Sequence, residues 1–416
     1  MSRLFSVSNR VIGLLTLMYF ITYLDRVNVS TAAAGFGKDF GLSRTEIGLV
    51  FSAFAYPYLL FQIIGGWVSD RFGARRTLLV SALIWAVATL LTGLAGGLLS
   101  MLVARLLLGL GEGATFPAAT SAMSRWVPRG RLGFAQGFAH AGSRVGNALA
   151  PAIIVLVMNA YDWRTSFYVC GTISLIWIGL WAITFTERPQ DHPGITPEEL
   201  ERLPSPKPKT PVAWGPLFKR MWPVTVVYFC YGWTLWLFLS WIPQYFLHRY
   251  NLDLKQSAFF ASAVFFAGVL GDTLGGIISD GIYRKTGRLK WARSLMVAVA
   301  MALAAMSILP ILFVRDVNIS ILCLSLGFFF AELCIGPMWA IPMDIAPRHS
   351  GTASGMMNTG SAFAAIASPV ISGMVIDATN RWELPFFGSI LLMVVGMLLC
   401  HRMDPESPFE AKEATP

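Results

Sequence analysis

Apolar stretches of about twenty residues recur along almost the whole chain, each followed by a short polar connection. Coiled into a helix, a stretch of that length crosses a hydrocarbon core of about 30 Å. The pattern predicts twelve membrane-spanning helices, at roughly residues 11–34, 46–68, 77–96, 99–123, 132–157, 164–185, 221–246, 256–281, 292–313, 317–344, 350–376 and 384–401. An even number of crossings puts both termini on one side. One long polar segment, 186–220, carries eight prolines. It buries too little apolar surface to fold alone, and proline stiffens it into a linker. The expected organisation is a six-helix bundle at 1–185, the linker at 186–220, a second six-helix bundle at 221–402 and a tail at 403–416.

Composition supports this all-α membrane class. The 416 residues are 55% hydrophobic and 13% charged, whereas soluble domains are about a quarter charged. The net charge of +9 raises the question of nucleic acid, but the basic residues lie in loops and not in a stripe with interleaved aromatics. Of the 32 Lys and Arg, 22 fall on the side of the termini and 7 on the other, with Arg26, Arg105 and Arg144 inside spans. The positive-inside rule then places both termini in the cytoplasm, and a bacterial inner membrane is the expected location. The opening MSRLFSVSNR runs straight into an apolar stretch too long for a signal peptide, so that stretch is read as a retained first helix. Five cysteines sit in apolar runs without paired or metal-type spacing, so neither a disulfide framework nor a metal site is expected.

The two halves share a signal. GGWVSDRFGARR spans Gly65 to Arg76, and GGIISDGIYRKTGR spans Gly275 to Arg288. Internal similarity at half-chain spacing marks a duplicated transporter fold. Gly66 and Gly276 allow close helix approach. Asp70 and Asp280 end their helices beside Arg71, Arg75 and Arg76 in one copy, and beside Arg284, Lys285 and Arg288 in the other. These charges are expected to latch one side of the transporter shut; the plainer alternative for any single arginine is a topology signal. The motif, its weaker second copy and the twelve-span layout resemble the major facilitator superfamily, with Ala74 replacing a usual basic residue.

An ionisable side chain deep in a span costs about 2.5–3.5 kcal/mol, so its default reading is a functional group facing the bundle interior. Asp25, Arg26, Arg105, Glu112, Arg144, Asp272 and Glu332 qualify. Asp25 and Arg26, being adjacent, point about 100° apart, so one can carry a proton while the other faces substrate. Arg105 and Glu112 lie two turns apart on one face; Arg105 either holds Glu112 intermittently or pairs with Asp25. A carboxyl group in a low-dielectric site holds its proton more firmly, and a nearby arginine reverses that. An arginine shared between a carboxylate and an anion therefore couples anion binding to protonation. Arg144 lies between Gly142 and Gly146, which would clear space for its side chain, and its planar fork suits a substrate carboxylate; the alternative is a pair with Glu332. His140 is read as a helix-end polar contact or a proton relay. Tyr56, Tyr58, Gln62, Trp233, Trp236, Trp241, Gln244, Trp339 and Asn358 are candidate cavity groups, although packing is the commoner role of membrane aromatics.

Five further strings resemble one subfamily, the anion:cation symporters: YLDRVNVS, FSAFAYPYLLFQIIGGW, ARLLLGLGEGATFPA, TLWLFLSWIPQY and GPMWAIPMDIAP. Its members include carriers of sugar acids and the vesicular glutamate and lysosomal sialic acid carriers. The resemblance implies proton-coupled import of a small organic carboxylate by alternating access, with protons as the coupling ion and no other cofactor. It makes Asp25 a proton carrier, Arg26 a substrate ligand and Glu112 a proton site controlled by Arg105. Arg144 and Glu332 depart from the sugar-acid pattern: the extra arginine suggests a second carboxylate, and Glu332 its resting partner or a further proton site. Tyr56, Gln62, Trp236 and Asn358 complete the expected substrate site. The expected partners are the anion, protons and the lipid bilayer, with the protein a monomer that binds no nucleic acid. A proton-driven exporter is disfavoured because span 5 lacks a Gly-Pro tandem, and a membrane sensor because the loops are short; no nucleophile triad or phosphate-binding loop supports an enzyme.

Overall fold

The computed structural model describes residues 6–205, 210–252 and 254–409. Residues 206–209 of the expected linker and the tail from 410 lie outside the described residues. Within them all regular structure is helical. Twelve helical spans are long and apolar enough to cross a membrane: α1 (Val7–Ala33), α2 (Glu46–Phe72), α3 (Ala74–Gly93), α4 (Leu98–Trp126), α5 (Arg129–Ala160), α6 (Trp163–Thr184), α7 (Trp214–Arg249), α8 (Phe259–Thr286), α9 (Trp291–Leu312), α10 (Val317–Ile345), α11 (Ser350–Thr379) and α12 (Leu384–Arg402). The α1 helix itself continues to Asp39.

Three spans break just ahead of a proline. Proline lacks an N–H, and its ring collides with the carbonyl four residues earlier. In α2 the helix stops at Ala53, four residues before Pro57, and restarts at Ala55. In α4 it stops at Gly113 and restarts at Thr115, with Pro117 beyond. In α10 it stops at Glu332 and restarts at Ile335, ahead of Pro337. Pro151, Pro223, Pro243 and Pro369 lie inside continuous helices, so proline alone does not dictate a break. The α4 and α10 breaks follow directly on the two buried glutamates, in the matching strings GEGATFP and AELCIGP. The repeat therefore extends beyond the motif noted in sequence, and Glu332 is the counterpart of Glu112.

The chain forms two compact units. One comprises Met1–Arg129, Gly142–Lys209 and Arg348–Gly355; the other comprises Gly130–Ala141, Thr210–Pro347 and Met356–Pro416. In the first unit α3 and α6 share a column of aromatic rings, Trp85 to Trp177 at 5.8 Å and Trp177 to Trp181 at 5.3 Å between centroids.

The proline-rich segment does more than connect. A short helix, Pro197–Glu201, brings Glu199 to the start of α1, where its carboxylate accepts from the backbone N–H of Val7 at 3.2 Å and of Ser8 at 2.8 Å. Ser6 Oγ takes the N–H of Asn9 at 3.2 Å. The first N–H groups of a helix have no intrahelical acceptor, and a carboxylate there also opposes the positive end of the helix dipole. Glu199→Ala is expected to cost about 0.5–2 kcal/mol and to raise amide hydrogen exchange selectively at Val7 and Ser8. Unchanged exchange there would remove the cap from this account.

Candidate functional site

The first unit gathers its mid-span charges around one arginine. Arg26 on α1 donates from Nε to Glu112 Oε2 at 2.6 Å, with Glu112 fully buried and the arginine side chain 12% exposed. Four rings surround the guanidinium: Tyr58 at 4.7 Å, Tyr23 at 5.0 Å, Phe54 at 5.1 Å and Phe116 at 5.5 Å from their centroids. Such a cage holds a cation by ring electrostatics without spending its hydrogen-bond donors. Arg26 Nη2 and Glu112 Oε1 make no hydrogen bond among the described residues. Each partner thus keeps a polar atom in reserve inside a low-dielectric site.

The local fold explains the placement. The α4 break puts Glu112 at the end of a helical segment, and Gly65 of α2 packs directly on Ala114 at that break. Gly109 of α4 meets the backbone of Phe54, drawing the Phe54 ring towards the pair. Asp25 turns elsewhere: it is buried and takes a long 3.5 Å hydrogen bond from Ser174 on α6. The roughly right-angled divergence expected of neighbouring helix positions is realised, Asp25 towards α6 and Arg26 towards α4. Arg105 is buried, donates to the Val50 carbonyl at 3.3 Å and lies 5.2 Å from the Phe54 ring. The ion pair on Glu112 is made by Arg26, which α1 presents across the helix interface; Arg105, expected to hold Glu112 intermittently or to pair with Asp25, sits two turns along α4 and donates to the Val50 carbonyl.

Arg144 joins the same neighbourhood. Its guanidinium is 6.0 Å from the Tyr23 ring whose centroid is 5.0 Å from Arg26. The flanking glycines do not clear space for the arginine. A Cβ at Gly142 would lie 2.7 Å from the Thr16 carbonyl oxygen, and one at Gly146 would lie 2.6 Å from that of Phe20. Together they form a G-x-x-x-G face that seats α5 on the α1 backbone. Tyr23 escaped the sequence reading, although its position three residues before Arg26 is a detectable signal.

The second unit holds an aromatic relay. Tyr231 donates its hydroxyl to Glu332 Oε2 at 2.9 Å. Tyr228 stacks on Tyr231 at 5.3 Å and accepts from Trp339 Nε1 at 2.7 Å, and His140 lies 4.8 Å from the Trp339 ring. Sequence reasoning named Glu332, Trp339 and His140 but missed both tyrosines, which lack any distinguishing spacing. Of the remaining candidates, Gln62 and Asn358 are buried, Trp236 is half-buried, and Tyr56 is 61% exposed.

The repeated glycine-aspartate motif makes different contacts from those expected. Asp70 accepts from the backbone N–H of Gly351 at 3.0 Å and Thr352 at 2.7 Å, from the Thr352 hydroxyl at 2.8 Å and from Ser121 at 3.0 Å. It thereby caps α11. Asp280 accepts from Gly133 N–H at 3.1 Å and Phe134 N–H at 2.7 Å, at the start of α5. Gly66 and Gly276 make these caps possible, since a side chain at either would strike the backbone of Gly351 or Gly133. Helix N-termini offer unsatisfied donors and a positive dipole end, so they outcompete solvated arginines for the carboxylates. Arg71 lies over Trp67 and Phe72, Arg75 donates to the Ala182 carbonyl at 2.6 Å, and Arg76, Arg284 and Arg288 are exposed. The charge partner of Asp280 is Arg293, fully buried, which reaches Asp280 at 3.0 Å and Asp344 at 3.1 Å. Counting by span end had put Arg293 among the loop cations; the parallel of Arg76-Thr-Leu-Leu-Val with Arg293-Ser-Leu-Met-Val was the available signal.

Twelve helical spans, a duplicated motif at their ends and buried charges within them define a multi-pass membrane protein, and the comparisons with known proteins place it among transporters. A model of the Major Facilitator Superfamily matches residues 15–369, and the chain belongs to that superfamily. It is 45% identical over 403 residues to the probable sulfoacetate transporter SauU of Cupriavidus necator, spanning 95% of this chain and 93% of that one. It is 30% identical over 385 residues to the hexuronate transporter of Bacillus subtilis, spanning 92% and 90%. Among solved structures, the superfamily transporter FucP in its outward conformation matches with a TM-score of 0.74 at 14% identity, covering 94% of this chain and 98% of that one. At that identity the likeness speaks for the fold alone.

Proposed function

We propose that the protein is a proton-coupled symporter that imports a small organic anion by alternating access, working as a monomer in a bacterial inner membrane with both termini in the cytoplasm. The observation that carries this reading is the caged Arg26–Glu112 pair at 2.6 Å, with a spare donor on one partner and a spare acceptor on the other. The relatives named for sulfoacetate and hexuronate transport support an acidic substrate, and the excess of basic residues on the side of the termini supports the orientation.

The geometry suggests how coupling works. With Glu112 ionised, Arg26 is engaged and neutralised. A proton arriving on Glu112 dissolves the ion pair and leaves a buried guanidinium whose most favourable new partner is an anion, bound bidentately. Release of the anion on the far side restores the competition for Arg26 and expels the proton. Glu332, at the repeat-related break and hydrogen-bonded by Tyr231, is a further proton site on the same logic, and Asp25 and Arg105 modulate the charge around the pair. The capped ends of α5 and α11, held by Asp280 and Asp70, serve as gates that open when those helices move.

Addition of sulfoacetate or a hexuronate to a lightly buffered suspension of cells expressing the protein is expected to alkalinise the medium as protons enter with the anion. Acidification would instead indicate export, and binding without any proton movement would indicate a sensor. Arg26→Ala is expected to abolish anion binding, read as loss of the ligand-induced rise in melting temperature; retention of that rise would overturn the assignment of Arg26.

A further inference from the structure

Arg105 is buried two turns before Glu112, and its hydrogen bond goes to the backbone of α2. Phe54 is the single residue between the two helical segments of that span, and its N–H points to the Ser52 carbonyl. In an unbroken helix that N–H would go to the Val50 carbonyl, four residues back. The break therefore releases the Val50 carbonyl inside an apolar cluster with Val29, Ala32, Phe36 and Met101, where an acceptor without a donor is costly. Arg105 Nε supplies the donor at 3.3 Å, and the guanidinium carbon lies 5.2 Å from the centroid of the Phe54 ring.

The same helix fixes the break from a second point. Gly109, one turn beyond Arg105, sits against the Phe54 carbonyl: a Cβ there would lie 2.2 Å from that oxygen and 2.8 Å from Pro57 Cγ. The carbonyls of Val50 and Phe54, at either end of the break, are thus both engaged by α4. What they position is part of the Arg26 cage. The Phe54 ring lies 5.1 Å from the Arg26 guanidinium and stacks at 5.1 Å on Tyr58, whose ring is 4.7 Å from the same group.

We propose that Arg105 is a positioning residue for the anion site: by bonding the Val50 carbonyl beside the Phe54 ring, it holds the α2 break in the geometry that keeps Phe54 on Arg26. The inference rests on the reading of Arg26 and Glu112 as that site, and goes beyond it by giving Arg105 an action through the backbone of α2 in addition to its charge. Two substitutions separate that action from charge. A lysine at 105 keeps the charge but loses the planar fork, which can bond a carbonyl and lie beside a ring at once. An alanine at 109 alters no charge and drives a methyl group against the Phe54 carbonyl.

The test combines amide hydrogen exchange with isothermal calorimetry of sulfoacetate binding, on the purified full-length protein. Arg105→Lys and Gly109→Ala are each expected to raise exchange across residues 54–58 while α6 exchanges as in the wild-type protein. Each is also expected to weaken sulfoacetate about three- to tenfold, the worth of one displaced cation–π contact. Phe54→Leu should give a similar loss, and adding Arg105→Lys to it should weaken binding no further, because both act through one ring. Arg105→Lys and Phe54→Leu carry the test if Gly109→Ala does not fold. Wild-type affinity in Arg105→Lys, with or without a change in exchange, would overturn the proposal, as would full additivity of Arg105→Lys and Phe54→Leu. If the wild-type protein binds neither sulfoacetate nor a hexuronate, the organic-anion reading itself fails, while wild-type exchange at residues 54–58 in Arg105→Lys would still show that Arg105 does not hold the α2 break.

Discussion

Glu112→Gln protein will exchange substrate across the membrane but will not concentrate it. Glutamine preserves the shape of the side chain and an oxygen that can accept from Arg26, yet it cannot change charge, so the turnover cycle loses its proton. With one proton coupled to a monoanion the transported pair carries no net charge, and each pH unit of gradient supports about tenfold accumulation. In the variant that ratio should fall to one under an imposed pH gradient, while counterflow, which needs only substrate on both sides, persists. The variant carries a second signature. Arg26 is left in its ring cage without a counter-charge, and breaking a buried pair by removing one charge costs on the order of 3–5 kcal/mol. An added anion replaces the missing carboxylate, so ligand should raise the melting temperature more in the variant than in the wild-type protein. Wild-type accumulation by Glu112→Gln, measured in proteoliposomes, would show that the coupling proton rides elsewhere.

The largest effect on stability is expected at Arg293. Its guanidinium is wholly buried between Asp280 and Asp344, and it also donates to Ser279 at 2.5 Å. Arg293→Leu leaves two buried carboxylates facing each other with their shared cation gone, a loss on the order of 3–5 kcal/mol. Asp280 must also go on holding the first turn of α5, the helix that carries Arg144. Asp344→Asn should be milder, because Arg293 retains Asp280 and the amide can still accept a hydrogen bond. Combining Asp344→Asn with Arg293→Leu should recover part of the loss, since only one buried carboxylate remains without its cation. Thermal unfolding of detergent-solubilised protein gives the comparison, and a single variant Arg293→Leu that melts like the wild-type protein would contradict this account.

Much of the site was legible from residue type alone. Charged side chains in apolar helices stand out because hydrocarbon tolerates them so poorly, and Arg26, Glu112, Arg105, Arg144, Asp25 and Glu332 were all found that way. Partnership was not legible. Arg105 was open to Glu112 on its own helix face or to Asp25 on another helix, and neither reading foresaw that Arg26 would make the ion pair with Glu112. Helix-face geometry ranks neighbours within one helix and has nothing to say about neighbours across an interface. Arg144 shows the same limit: its two flanking glycines were expected to clear space for its own side chain, whereas they seat α5 on the α1 backbone. The aspartates of the repeated motif looked like partners for adjacent arginines, because sequence proximity is visible and the unsatisfied N–H groups of a distant helix start are not.

From the sequence by itself one could determine the number of crossings, the membrane environment and the set of charges placed inside apolar helices, because each follows from the cost of exposing polar groups to hydrocarbon, and the duplicated motif followed from its two copies. Tertiary structure alone decided which charges meet: Arg26 with Glu112, Arg26 and Arg144 on the Tyr23 ring, Asp280 with Arg293, and Asp70 on the start of α11. The physical reason is that burial is a property of a residue in its own stretch of chain, whereas pairing depends on how helices cross, and here those crossings are set by glycine contacts between segments far apart in sequence.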